Sequence, residues 1–232
     1  MILDPAVISA AKAHAVAEHP RESCGLVTAA GYVPCRNVHP DPLDHFEIAP
    51  EELLRDDVRA VLHSHIAERH DPWPSQGDMG QQIAMDVPWG IIVTDGVGAL
   101  DPILWGDFLL DTPLVGRPFV HGVTDCYALI RAYYHQERGV TLPDHARTYE
   151  WWTAGENHYL DHFARHGFRV IDAGEARPGD GFLAQVLSPV PNHAGVLIED
   201  GLVLHHLDRR LSRREPAFPW KRHITHWMRL EA

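Results

Sequence analysis

The 232-residue chain has only two lysines and three cysteines. It holds no apolar run approaching the roughly 18 residues of a membrane-spanning helix. Cys24, Cys35 and Cys126 are odd in number and widely spaced. That argues against a disulfide framework and for synthesis in a reducing compartment. The stretch from Met1 to Pro20 lacks a basic segment followed by an unbroken apolar one, so no secretory signal is expected. Positive charge is also short: the formal net charge is −12. A basic nucleic-acid-binding surface is therefore not expected. With 45% apolar and 22% charged residues, the composition excludes collagen, coiled coil and wholesale disorder, and it can fill a sizeable core.

The charge is unevenly placed. Residues 1–111 carry 6 Lys and Arg against 18 Asp and Glu, whereas residues 112–232 carry 14 of each. A Gly- and Pro-containing seam over residues 106–122 lies at the same place, and the chain is read as two domains, 1–108 and 109–232. In the first, Asp4-Pro5 predicts a helix to about Glu18. Strands are expected over Cys24–Ala29, Gly31–Asn37, Val58–Ile66 and Gly90–Thr94, with helical segments over Pro50–Arg55 and from Ser75 to about Met85. The second half is expected to open with helices over Asp125–Arg138 and Tyr149–His166. An antiparallel meander follows, with Asp200-Gly201 as a hairpin turn. The fold class is α+β in two domains.

Histidine is abundant, at 18 residues, and it both binds metals and moves protons near neutral pH. His63 and His65 stand two apart in a predicted strand, so both imidazoles share one face. Asp78, in the first turn of the following helix, would add a carboxylate. Two histidines and one carboxylate leave an open position on Zn²⁺, the layout of a catalytic site. Glu22 is a candidate base and Ser75 a candidate oxyanion donor. A plainer explanation stands beside this one: Ser75 and Asp78 also fit a capping box, and Glu22 alone would be a solvated carboxylate.

Taken in order, Pro20-Arg21-Glu22-Ser23-Cys24-Gly25, His63-Ser64-His65 and Pro74-Ser75-Gln76-Gly77-Asp78 resemble the JAB1/MPN/Mov34 (JAMM) metalloenzyme family. The resemblance implies Zn²⁺ held by His63, His65 and Asp78, a water-activating Glu22 and an oxyanion-assisting Ser75. Ile66 stands where that family commonly has Pro, and the loop from His65 to Ser75 is longer than its usual pattern.

In the second half, Cys126 starts a predicted helix, whose N-terminus should lower the thiol pKa. A buried apolar cysteine would read the same way. A nucleophile needs a base and the base an orienter. His193 and His205 lie on strands that the Asp200-Gly201 turn would set side by side, with His206 facing the opposite side. Gly122-Val123-Thr124-Asp125-Cys126-Tyr127, Arg177-Pro178-Gly179-Asp180, His193-Ala194-Gly195-Val196-Leu197 and Leu204-His205 resemble the NlpC/P60 family. That resemblance implies a papain-like cysteine peptidase cutting peptidoglycan stem peptides, with Cys126 as nucleophile, His193 as base and His205 as orienter. Trp151-Trp152, in the less standard stretch 139–175, fit either a groove or aromatic packing.

A JAMM half followed by an NlpC/P60 half resembles the tail assembly proteins of lambda-like phages. It implies a virion tail-tip location after synthesis in the host cytoplasm, phage tail-tip and hub proteins as partners, and peptidoglycan as substrate. It implies no nucleic-acid partner and no membrane span. The alternative is a structural tail-tip component whose sites are vestigial or serve stability alone.

Overall fold

The computed structural model of the protein describes residues 2–231. Its backbone separates into two units, one ending at Phe108 and the other beginning at Leu109. In the first, the Asp4 carboxylate accepts from Ala6 N–H and Pro5 takes the first helical position, starting α1 (Pro5–Glu18). Val7, Ala11 and Ala15, four apart, form its buried face. A hairpin of β1 (Cys24–Thr28) and β2 (Gly31–Cys35) follows. After the short α2 (Pro50–Leu53) come β3 (Ala60–Ile66), α3 (Gln76–Met85), β4 (Trp89–Thr94) and β5 (Ile103–Trp105). The sheet order is β2-β1-β3-β4-β5. Its β3 and β4 are parallel, joined through α3. The three-residue β5, closely followed by Gly106, is too short to announce itself in sequence.

Every residue of β3 is buried. Ala60 and Leu62 join Val27, Ile92 and the small residues of α1 in one apolar cluster. Alternation along the strand turns His63 and His65 to the opposite face. Imidazoles on a fully buried central strand are costly unless something pairs with them.

The second unit holds α4 (Cys126–Arg138), α5 (His158–Phe163) and six strands: β6 (Phe168–Ile171), β7 (Gly181–Ala184), β8 (His193–Ile198), β9 (Leu202–His205), β10 (Arg213–Pro216) and β11 (Ile224–Leu230). These pair antiparallel in the order β10-β9-β8-β7-β11-β6. The sheet is not the simple meander expected, because β11 inserts between β7 and β6. The single helix expected over Tyr149–His166 is also broken. Trp151–Ala154 is a 3₁₀ turn between left-handed Glu150 and Gly155, α5 spans six residues, and Ala164–His166 finish as 3₁₀. Gly155 stops the first turn. Burial of Trp151, Tyr159 and Phe163 against Ile130 and Tyr134 then sets the path in place of helical periodicity.

Asp200 and Gly201 both have positive φ, 60° and 67°. This is the two-residue geometry that matches strand twist, and it joins β8 to β9 with Gly195 opposite His205. Gly195 allows the close approach. A Cβ there would lie 2.5 Å from Phe182 Cζ and 2.8 Å from the Leu204 carbonyl oxygen. Gly195→Ala is expected to cost about 1–3 kcal/mol through overpacking, read as a lowered midpoint in denaturant unfolding.

Candidate active sites

In the first unit, α3 begins with a capping box. Ser75 Oγ accepts from Asp78 N–H at 3.1 Å, and Asp78 Oδ2 accepts from Ser75 N–H at 2.8 Å. The capping explanation of these two residues is therefore correct, and it also aims Asp78 at β3. His63 Nε2 lies 3.5 Å from Asp78 Oδ1, and His65 Nε2 lies 3.5 Å from Oδ2. These distances are long for direct hydrogen bonds. One ligand atom each from His63, His65 and Asp78 can be chosen so that all three lie within 4.8 Å of one another, close enough to converge on a single ion.

Neither ring nitrogen of His63 has a hydrogen-bond partner although both are buried. His65 Nδ1 donates to the Asp71 carbonyl at 2.6 Å, which leaves its Nε2 lone pair facing Asp78. This backbone contact is the orienting bond typical of ligating histidines. A divalent metal fits this donor set. Burial alone would raise the Asp78 carboxyl, yet His63, His65 and Ser75 hold it far below the ordinary range.

Glu22 precedes β1 and is 3% exposed. Burial pushes it up to about 8; nearby His65 opposes the shift and Asp78 adds to it. The loop after β3 also contributes His70, which the sequence reading did not single out. Its Nδ1 accepts from Ile66 N–H at 2.9 Å and lies 3.4 Å from Glu22 Oε1, while its Nε2 lies 3.4 Å from Asp44 Oδ1. The longer His65–Ser75 loop thus supplies both His70 and the Asp71 carbonyl.

In the second unit, Asp125 caps α4 and Cys126 is its first residue. Asp125 Oδ1 accepts from Ala128 N–H, and Oδ2 accepts from Gly122 N–H and from Arg147 Nε and Nη2 at 2.9 and 2.7 Å. Burial would raise this carboxyl, but Arg147 and His121 hold it at about 2. The expectation of a lowered thiol pKa is overturned. Burial, reinforced by the Asp125 charge, pushes Cys126 up to about 11, against the downward pull of Tyr159 and the Ala194 amide. The helix N-terminus is real, but burial outweighs it at the thiol and the capping carboxylate adds to the burial. Cys126 Sγ lies 3.0 Å from Tyr159 Oη, and the thiol is free.

Behind the thiol, His193 Nε2 and His205 Nδ1 are 3.1 Å apart. His205 Nε2 lies 2.9 Å from Glu215 Oε1 on β10, a close ion-pair contact without good hydrogen-bond alignment. Glu215 Oε1 also accepts from Trp220 Nε1 at 2.6 Å. A proton on His205 Nε2 facing the carboxylate makes its Nδ1 the acceptor, so His193 donates through Nε2 and keeps a lone pair on Nδ1. Burial, with His205 and His206 as neighbours, lowers His193 well below the ordinary value and keeps it neutral. Burial likewise lowers His205, with Glu215 opposing.

Cys126 and His193 line one cavity of ≈ 390 Å³, together with Trp151, Trp152, Tyr149 and His206. Trp151 is a core residue that also reaches this wall, so packing and groove are not alternatives for it. Sequence reasoning missed Arg147, Tyr159 and Glu215. For Glu215 a faint signal exists: it stands two residues from Arg213, which pairs with His205 across β9 and β10.

Residues 116–229 match the NlpC/P60 family. The chain is 39% identical over 222 residues to tail tip assembly protein K of Escherichia phage N15, covering 90% of this chain and 87% of that protein. It is 36% identical over 186 residues to tail tip assembly protein K of Escherichia phage lambda, covering 78% of this chain and 85% of that one. Among solved structures, the NlpC/p60 domain of the peptidoglycan hydrolase SagA aligns with a TM-score of 0.34 and 15% identity, over 50% of this chain and 90% of that one.

Two outcomes follow from the Cys126 environment. Iodoacetamide labelling of Cys126 should fall about tenfold for each pH unit below its pKa, with no plateau in mild acid, because no thiolate is held at rest. Mass spectrometry of the labelled peptide across pH 5–10 checks this. Asp125→Asn leaves the buried Arg147 only Asp144 and the His145 carbonyl as hydrogen-bond partners and should cost up to about 3–5 kcal/mol at neutral pH. The folded pKa lies below the ordinary 3.8, so this stabilisation is present above that value and lost as pH falls through about 2. Acid unfolding of wild type and variant should therefore converge at the lowest pH.

Proposed function

Because this chain belongs to the phage tail tip assembly protein K family and its residues 116–229 form an NlpC/P60 domain, we propose that its second unit is a cysteine endopeptidase that cuts peptidoglycan stem peptides at the virion tail tip. The observation that carries this reading is the ordered array of His193, His205 and Glu215 behind a thiol facing an aromatic cavity. Cys126 Sγ attacks the scissile carbonyl while its proton passes to His193 Nδ1. The C–N bond breaks, His193 returns the proton to the leaving amine, and a water deprotonated by the same nitrogen hydrolyses the thioester. His205 holds the base in one tautomer and, with Glu215, stabilises the imidazolium as it forms. Since the thiol rests protonated, nucleophile formation is coupled to attack instead of preceding it. Tyr159 Oη is placed to donate to the sulfur while it carries charge.

The first unit is read as a JAMM-type zinc metallopeptidase acting in tail maturation. His63, His65 and Asp78 would hold Zn²⁺. Zinc at such a site supplies Lewis-acid polarisation and a bound water made acidic near pH 7. Glu22, buried beside the ligands, would take and pass the proton once the positive charge of a bound ion offsets the burial that raises its carboxyl, and Ser75 would offer its hydroxyl to the oxyanion. The buried His63 ring, whose two nitrogens make no hydrogen bond while Asp78 stands nearby, favours this over an unliganded scaffold. Tail-tip and hub proteins are the expected partners.

Purified murein digested with wild-type protein should release cleaved stem peptides, and Cys126→Ala should abolish that release. Undiminished release by the variant overturns the cysteine assignment. Tails assembled with Glu22→Gln should contain an unprocessed tail protein by intact-mass analysis; identical masses would favour a structural role for the first unit.

A further inference from the structure

A second imidazole cluster lies in the cavity wall and has no part in the reaction above. His162 and His166 stand four apart along α5 and its 3₁₀ extension, so both project from one helical face. His145, from the irregular segment after α4, meets them. One ring nitrogen from each of His145, His162 and His166 can be chosen so that all three lie within 4.8 Å of one another. The rings of His145 and His162 stack at 4.0 Å between centroids, and those of His145 and His166 at 4.8 Å. All three are half-buried and line the Cys126 cavity.

Hydrogen bonding prepares the nitrogens. Tyr127 Oη donates to the Pro143 carbonyl at 2.6 Å, so its oxygen is the acceptor for His166 Nδ1 at 3.4 Å. With its proton on Nδ1, His166 presents a bare lone pair on Nε2. That atom lies 2.8 Å from His145 Nε2, so a single proton separates two imidazole nitrogens. We infer that His145, His162 and His166 form a binding site for a divalent transition-metal ion, with a coordination position left open to the cavity.

The chemistry selects the ion class. Three neutral imidazoles without thiolate or carboxylate suit Zn²⁺, Co²⁺, Ni²⁺ or Cu²⁺ and disfavour Mg²⁺ and Ca²⁺. On binding, the ion takes the place of the proton between His145 and His166, and His145 carries its proton on Nδ1 instead. The nitrogens separate from 2.8 Å to the roughly 3.4 Å edge of a tetrahedral site, a shift that half-buried rings can make. The ion would then clamp the segment carrying His145 onto α5. That segment also carries Arg147, whose grip on Asp125 fixes the start of α4.

The test is a Co²⁺ titration of the metal-stripped full chain, followed by visible absorption and by dialysis stoichiometry. His162→Asn is compared with wild type, so that the His63/His65/Asp78 site is present in both. Wild type should bind one more equivalent than His162→Asn, or bind that equivalent about tenfold or more tightly, without a thiolate-to-cobalt charge-transfer band. His145→Asn should reproduce the loss, and His63→Ala/His65→Ala should leave this equivalent in place. Equal stoichiometry and affinity in wild type, His162→Asn and His145→Asn would overturn the inference. So would a charge-transfer band that Cys126→Ala removes, since the ion would then sit on the thiol.

Discussion

One carboxylate organises the second unit. Asp125 ends the irregular chain before α4, satisfies the amides of Gly122 and Ala128, and receives two N–H bonds from buried Arg147 that converge on Oδ2. A buried ion pair gains little net stability over apolar packing, but its geometry is demanding. Here that geometry fixes where the helix starts, hence where Cys126 stands, and it draws the segment after Asp144 against the cavity. Arg147 also reaches Asp144 and the His145 carbonyl. Cys126 and two cavity walls therefore share one electrostatic anchor. The same charge adds to the burial that keeps the thiol protonated, so positional precision comes at the expense of resting nucleophilicity.

The two units solve the same problem in different ways. Each places imidazoles on a buried strand, where unpaired polar atoms are costly. In the second, His193 is satisfied by His205, and Glu215 with Trp220 backs that pair. In the first, His65 is satisfied by a loop carbonyl, while His63, with Phe46 stacked on it at 4.4 Å, makes no hydrogen bond and has the Asp78 carboxylate 3.5 Å away. A closed array of hydrogen bonds suits proton transfer. A convergent set with one open valence suits an ion.

Much of this was legible in the sequence because period-two and capping rules act locally. His63 and His65 had to share a face of β3, Ser75 and Asp78 had to cap α3, and Asp200-Gly201 had to turn β8 into β9. What stayed hidden depends on contacts between distant segments. Arg147 comes from a stretch without regular structure. Glu215 sits on an edge strand whose Arg-Arg-Glu-Pro sequence argues against strand formation. The helix expected across Tyr149–His166 failed because aromatic burial outweighed its periodicity. The Cys126 pKa was misjudged because a helix terminus is visible in sequence, whereas the solvent exclusion around it is not.

The protonated state of Cys126 also bears on durability. Peroxides and other oxidants attack thiolates far faster than thiols, and the first product, a sulfenic acid, leads towards irreversible forms. A half-buried sulfur that holds its proton is chemically quiet. Such a cysteine can stay intact in air-saturated surroundings without help from reductants.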